Sequence, residues 1–257
     1  MSILNNVAAL GASRQLGLTS LGLNKTIERL TSGKRINHAS DDAAGLGISN
    51  QLNAEVRVSN QASRNANDGV SFLQVADGAL DTISNLLQRK AELAQQYATG
   101  TVDTNGQTNI DAEYGQIKSQ IDDILASTKF NGANVFGSTA KISLGSFTSV
   151  DLTNALKSTT ITSGASAATD AAKVTADLQT VSAQRATIGA QMQTLTSYAS
   201  VLGVQAQNLT AAASQITDAN VADEVVNLSK FQILNQSGVS ALGQANQSAQ
   251  SILALLR

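Results

Sequence analysis

Cysteine, proline and tryptophan are all absent from this chain of 257 residues. Without cysteine, the chain can form neither disulfides nor a cysteine-based metal site. It contains one histidine, which argues against a catalytic zinc centre or a histidine-dependent triad. Because proline is the strongest helix breaker, its absence favours long uninterrupted helices. We therefore expect a helical protein that is not an enzyme and binds no metal or cofactor.

Charge and long apolar runs are also scarce. Charged residues make up 14% of the chain and the net charge is -2, so no basic excess indicates nucleic-acid binding. No run of about 18 apolar residues is present, and we expect no membrane insertion. The first six residues lack a charged region followed by an apolar one, so no cleaved signal peptide is expected.

The most informative pattern is a heptad repeat, in which apolar or small residues recur at alternating steps of three and four. Residues 41–98 follow it and predict one helix of roughly 87 Å at 1.5 Å per residue, typical of a coiled coil. Ser40 is the predicted cap of this helix, and Gly100 is expected to end it. The repeat steps through Gly45, Ile48 and Leu52 near its start.

Further repeats predict the remaining helices. The stripe from Ile110 to Ile124 indicates a shorter antiparallel helix within residues 109–129. A third repeat begins at Val174 and slips phase after Ile216, which predicts a joint near residues 217–223 before the stripe resumes at Leu228. At the other end, residues 16–30 carry a terminal stripe that residues 32–34 should stop.

Residues 130–163 differ from the rest because apolar and polar residues alternate there. Residues 141–144 and 147–152 flank Gly145-Ser146 and predict a β-hairpin, while residues 130–132 have the composition of a turn. The expected fold is therefore mainly α, with long antiparallel coiled-coil helices, a small β-hairpin and paired N- and C-terminal helices. Since the terminal stripes carry almost no charge, we expect them either to stay disordered in the monomer or to bury against other copies.

Several segments away from these repeats resemble bacterial flagellin. Residues 27–37 (IERLTSGKRIN) and 41–45 (DDAAG) are similar to the N-terminal signature of that family. Residues 61–69, 130–132, 244–247 and 255–257 continue the likeness along nearly the whole chain. No large variable domain interrupts residues 160–171, so the sequence resembles a short, core-only flagellin.

The resemblance implies a structural protomer that polymerises through its terminal helices into the helical flagellar filament, for motility. It implies an inner filament core made by residues 1–40 with 217–257, and an outer core made by residues 41–216 with a hairpin at about 130–163. Implied partners are other copies of the chain, the flagellar export apparatus, an export chaperone, and the cap and hook-associated proteins. The implied location is the extracellular flagellum. A hook–filament junction protein is the alternative, but it would be expected to diverge through residues 41–69.

The resemblance also assigns roles to particular residues. Arg89, Leu93 and Glu113 match positions that a Toll-like receptor contacts in the family, although Ala91 replaces an arginine of that motif. The expected joint carboxylates are Asp41, Asp42, Asp218 and Asp223. The expected polymerisation core consists of apolar residues on the two terminal stripes: Leu16, Leu23, Ile27, Leu30, Leu228, Phe231, Leu242, Ile252 and Leu256.

Overall fold

The structure is a computed structural model that describes residues 6–145, 147–153, 155–156 and 161–255, with side chains as far as residue 248. Within these ranges the chain is mainly α, as predicted. The helices and strands follow one another as α1 (Val7–Ser32), α2 (Ala43–Tyr97), α3 (Thr104–Ser127), β1 (Lys129–Phe130), β2 (Ala133–Asn134), β3 (Lys141–Leu144), β4 (Phe147–Asp151), α4 (Ala167–Thr217) and α5 (Val221–Leu255).

The chain divides into two compact units. Unit 1 contains residues 1–54 and 209–257, and unit 2 contains residues 55–208. Helix α1 packs along α5 in unit 1, whereas unit 2 holds α3, both hairpins and the greater part of α2 and α4. The division into inner and outer filament layers at residues 40 and 217 stays a prediction.

The core of unit 2 lies where the predicted heptad repeats meet. Every repeat position of α2 between residues 62 and 94 is buried, and so are four repeat positions of α3. The β3–β4 hairpin lies on α2, since the Asn65 amide donates a 3.0 Å hydrogen bond to the Ser143 carbonyl. The large apolar residues that α4 buries are Val174, Val181, Ile188, Leu195 and Leu202.

Two hairpins form where residues with positive φ allow tight turns. Asn131 (φ 50°) and Gly132 (φ 81°) join β1 to β2, which confirms the turn expected from their composition. Gly145 (φ 64°) follows β3 in the predicted β3–β4 hairpin. The second strand ends at Asp151, one residue earlier than predicted.

The predicted ends of two helices were wrong because aspartate caps lie elsewhere. Asp42, not Ser40, caps α2, since its Oδ1 accepts a 2.9 Å hydrogen bond from the Gly45 N–H. Helix α3 begins at Thr104 rather than near residue 109, because Asp103 accepts a 2.8 Å hydrogen bond from the Gly106 N–H.

The repeat at the start of α2 was placed one residue out of phase. Ile48 is 54% exposed, whereas the neighbouring Ser49 is buried. The buried face runs from Gly45 through Ser49 to Leu52, so the step of four precedes the step of three.

Candidate assembly surface and joint

Helices α1 and α5 fit together through side chains of one helix that lie over glycines of the other. A Cβ on Gly22 would stand 2.7 Å from the Phe231 ring, and a Cβ on Gly238 would stand 3.2 Å from Leu16 Cδ1. At the far end of the pair, the Asn6 side chain donates a 2.9 Å hydrogen bond to the Ala245 carbonyl. These contacts define the two helices as an intramolecular pair.

Most residues of the expected polymerisation core lie along this pair and are half-buried in the free chain: Leu16, Leu23, Leu30, Leu228, Phe231 and Leu242. Ile27 differs from them because it is 45% exposed, and Thr26 is buried in its place. The buried face of α1 runs from Leu23 through Thr26 to Leu30. Ile27 was chosen over Thr26 because it is the more apolar residue, and this choice was wrong. The Ile252 side chain and the whole of Leu256 lie outside the described residues.

A second set of apolar side chains faces away from the pair, and Ile27 is the one member of this set that was named from the sequence. Sixteen large hydrophobic residues are exposed in the described part of the chain, and twelve of them belong to unit 1. Their concentration along the two terminal helices is the sequence signal that could have identified them. Those on α1 and α5 are Val7, Leu10, Leu18, Leu21, Ile27, Val221, Val225, Val226, Ile233, Leu234 and Val239.

The joint of unit 1 brings the end of α1 against the end of α4. Gly33 (φ 69°) ends α1, and the Arg35 N–H donates a 2.6 Å hydrogen bond to the Thr217 carbonyl. The Arg35 guanidinium also donates to the Ile216 carbonyl at 2.9 Å, which satisfies an acceptor at the helix terminus. The break between α4 and α5 therefore lies at residues 218–220, inside the predicted range.

Asp41 is the best-connected carboxylate of this joint. Its Oδ1 lies 2.6 Å from Lys25 Nζ, and its Oδ2 accepts hydrogen bonds from the N–H groups of Asn37 and His38 at 3.2 Å. The Lys25 hydrogen bond, followed by the two backbone hydrogen bonds, holds the pKa of Asp41 well below its usual range. Asp41 thereby ties the 37–41 turn to α1.

The other three predicted joint carboxylates have separate positions. Asp42 caps α2, and Asp218 forms an isolated β-bridge with Lys34. Asp223 lies in the first turn of α5, where the helix dipole favours a carboxylate. A further carboxylate that sequence reasoning missed is Glu224, which is 8% exposed and accepts a 3.3 Å hydrogen bond from Arg29.

The three residues matched to receptor contacts lie in unit 2, and the structure brings two of them together at the surface. Arg89 donates to Glu113 Oε1 at 3.0 and 2.9 Å, and both side chains are about half exposed. This hydrogen bond, followed by one to Glu92, raises the pKa of Arg89. Leu93 is 1% exposed, so it belongs to the core and not to a contact surface.

The described residues contain no group of three or more histidine and acidic side chains that could hold a metal ion. Among these same residues, no helix is both long and apolar enough to cross a membrane.

Two sequence regions match known families. Residues 3–141 match the bacterial flagellin N-terminal helical region, and residues 171–256 match the bacterial flagellin C-terminal helical region. The chain belongs to the bacterial flagellin family. Only residues 142–170 lie between the two matched regions, which agrees with a short flagellin that lacks a large outer domain.

Individual flagellins match over their full length. Flagellin FlaB1 of Treponema pallidum and the flagellar filament 33 kDa core protein of Treponema phagedenis are each 36% identical over 286 aligned residues, covering 100% of both chains. The crystal structure of Bacillus cereus flagellin is 34% identical, covers 58% of this chain and 94% of that one, and has a TM-score of 0.48.

Membership of this structural family fixes what the chain does. It is a structural protomer of the bacterial flagellar filament, an extracellular polymer that serves motility. These matches to flagellins favour the filament subunit over the hook–filament junction protein.

Proposed function

We propose that the protomers assemble through the outward apolar faces of the α1–α5 pair. The observation that carries this proposal is the exposure of side chains such as Leu21 (67%), Val226 (67%) and Ile233 (65%) on helices that are already paired. Exposed apolar surface of this extent is typical of a protein interaction site. We infer that other copies of the chain cover this surface, because they carry the same exposed apolar side chains.

In this proposal one set of residues holds α1 against α5, and a second set contacts neighbouring protomers. The half-buried residues of the α1–α5 seam, such as Leu16, Phe231 and Leu242, hold the two helices together and so shape the assembly surface. The outward residues then contact neighbouring protomers, and each buried leucine or isoleucine contributes roughly 1.5–3 kcal/mol before entropy is subtracted. Ile252 and Leu256 are assigned to the same polymerisation core by sequence alone.

We infer that one patch of each protomer contacts a different patch of the next protomer, which is a heterologous interface. When the rotation between successive subunits does not close a ring, such an interface generates an open helix of indefinite length. In this proposal residues 1–40 and 217–257 form the inner filament core, and residues 41–216 form the layer around it. The carboxylates Asp41, Asp42, Asp218 and Asp223 hold the joint between the helices.

The experiment compares Ile233→Asp with Val75→Asp, which places the same charge at a 36% exposed valine of unit 2. Ile233→Asp should prevent sedimentable polymer while the circular dichroism of the monomer stays helical, because each interface would bury an unpaired carboxylate. Val75→Asp should polymerise far better. Filaments of ordinary length and yield from Ile233→Asp would overturn the proposed surface.

The remaining partners follow from the family resemblance. We propose that the chain passes through the flagellar export apparatus with an export chaperone, retains its N-terminus, and meets the cap and hook-associated proteins outside the cell. N-terminal sequencing of filament protein tests the uncleaved terminus, and a sequence starting downstream of residue 2 would contradict it. Loss of export in cells lacking the apparatus, and its reduction without the chaperone, test the route.

Receptor recognition is a separate proposal that now rests on Arg89 and Glu113. Their paired, exposed side chains present a charged surface to which a Toll-like receptor would bind. Monomer should activate a receptor reporter cell, and Arg89→Ala should reduce the response. A response that is absent, or that Arg89→Ala leaves unchanged, would refute this contact.

A further inference from the structure

Two cations lie at predicted positions of the apolar repeats in unit 2, one on each of the two long helices. Lys90 is 0% exposed on α2, whereas Arg185 lies at the edge of the buried face of α4, next to the buried Gln184, with 33% of its side chain exposed. Charged residues are costly at such positions unless their hydrogen-bonding groups are satisfied. Arg185 reaches its partners across the α2–α4 pair, and Lys90 reaches its partners in the segment that precedes α4.

Lys90 is satisfied by the segment that precedes α4. Its Nζ donates to Ser163 Oγ at 2.9 Å, to the Gly164 carbonyl at 3.0 Å and to the Ser163 carbonyl at 3.3 Å, and it lies 4.4 Å from the Tyr114 ring centroid. Asp177 of α4 holds the same segment through the N–H groups of Thr162 and Ser163 at 2.9 Å. Lys90 therefore links α2 to the start of α4.

Arg185 is satisfied by two carboxylates one turn apart on α2. Its Nε lies 2.8 Å from Asp77 Oδ1, and its Nη1 lies 2.7 Å from Asp81 Oδ1. If α4 slipped by one heptad, these two positions would be taken by Val70 and Gln74 in one direction, or by Ser84 and Gln88 in the other. No carboxylate would then face the guanidinium.

The contact of Leu195 with α2 does not distinguish these alternatives. Leu195 of α4 lies against Gly69 of α2, where a Cβ would stand 3.0 Å from its Cδ1. The residues one heptad away on α2 are Ala62 and Ala76, which are also small. A slip of seven residues, about 10 Å along the helix, would therefore still place Leu195 opposite a small residue.

We propose that Lys90 and Arg185 set the register of α2 against α4. Each cation has its partners in the native alignment alone, because a slip of one heptad takes both carboxylates away from Arg185 and moves the start of α4 away from Lys90. A polar residue at a repeat position can specify register in this way at a cost in stability. A one-heptad error would displace the exposed side chains of α4 by about 10 Å relative to α2.

The absence of native cysteine makes register directly measurable in the full-length monomer. Ser63 Oγ lies 3.4 Å from the Ala199 carbonyl, so cysteines at 63 and 199 report the native alignment to a short bis-maleimide. Cysteines at 63 and 192, or at 63 and 206, report slips of one heptad in either direction. Each pair is placed in the wild-type background and in the double variant Lys90→Met/Arg185→Met.

The wild-type background should cross-link at 63/199 and not at the slipped pairs. In the double variant the 63/199 product should fall by at least about twofold and a slipped product should appear, while helicity is retained. The control is Lys118→Met, which removes a cation whose ion pair with Asp122 lies within α3. It should cross-link as wild type.

Two results would overturn this inference. A double variant that cross-links at 63/199 alone would show that apolar packing suffices to set the register. If the double variant unfolds, the swap Asp77→Arg/Arg185→Asp decides instead, because an exchanged ion pair should keep the native 63/199 product. A swap that cross-links at a slipped pair would be the second overturning result.

Discussion

The ring of Phe231 lies directly over Gly22, so that a Cβ at residue 22 would stand 2.7 Å from ring atoms Cε1 and Cζ. Residue 22 is therefore a hole into which the largest side chain of the α5 seam fits. This contact determines how closely the two terminal helices approach.

Gly22→Ala should loosen the α1–α5 pair. Alanine is favoured over glycine within a helix by roughly 0.5–1 kcal/mol, but displacing the Phe231 ring costs about 1–3 kcal/mol. Gly17→Ala is the matched control, because nothing lies within 4 Å of a Cβ there and the helix preference acts alone. Amide hydrogen exchange of α1 should show lower protection for Gly22→Ala than for Gly17→Ala, and equal protection would contradict the tight contact.

Acid should weaken unit 1 through Asp41. Because the pKa of Asp41 is depressed in the folded chain by Lys25 and two backbone N–H groups, its contribution is present above the unfolded pKa of about 3.9. That contribution is lost as the pH falls from about 4 toward the folded value. Urea unfolding at a series of pH values, monitored by amide hydrogen exchange of α1, should show this loss as a lower stability of unit 1.

Two variants test whether Asp41 causes this loss of stability in acid. Asp41→Asn should be less stable at neutral pH and should show a flatter dependence below pH about 4. Lys25→Met should also flatten the dependence of stability on pH, because it removes the ammonium group that lowers the pKa of Asp41. A profile for Asp41→Asn that matches wild type would show that other carboxylates govern the acid response.

Leu242→Asp should abolish polymerisation while unit 2 stays folded. Leu242 is half-buried in α5, and burying an unpaired carboxylate costs several kcal/mol in every subunit of the polymer. Gln244→Asp places the same charge two residues away at an exposed position of the same helix. Sedimentation should find polymer for Gln244→Asp alone, with helical circular dichroism for both, and polymer from Leu242→Asp would contradict its role in the seam.

The long helices were predictable because a heptad pattern sustained over more than fifty residues leaves few alternatives. Single positions were less so, since hydropathy favoured Ile27 and Ile48 where helical geometry buries Thr26 and Ser49. The predicted start of α2 depended on which of several neighbouring polar residues would act as the cap. The sequence favoured Ser40, but Asp42 is the cap.

The candidate assembly surface was predicted in part for a related reason. Sequence identified apolar residues of α1 and α5, but hydropathy does not tell a side chain in the intramolecular seam from one that faces outward. Phe231 and Ile233 are both apolar and only two residues apart, yet one lies over Gly22 and the other is 65% exposed. The paired structure was needed to separate them.

Salt tests most directly whether apolar burial holds the filament together. At about 1 M salt the Debye length is roughly 3 Å, and exposed ion pairs contribute about 0–1 kcal/mol even at lower salt. Filaments held by the outward faces of α1 and α5 should remain sedimentable in 1 M NaCl at neutral pH, because apolar burial is not screened. Filaments that dissolve to monomer under these conditions would show that charge holds them, and the proposed assembly surface would be wrong.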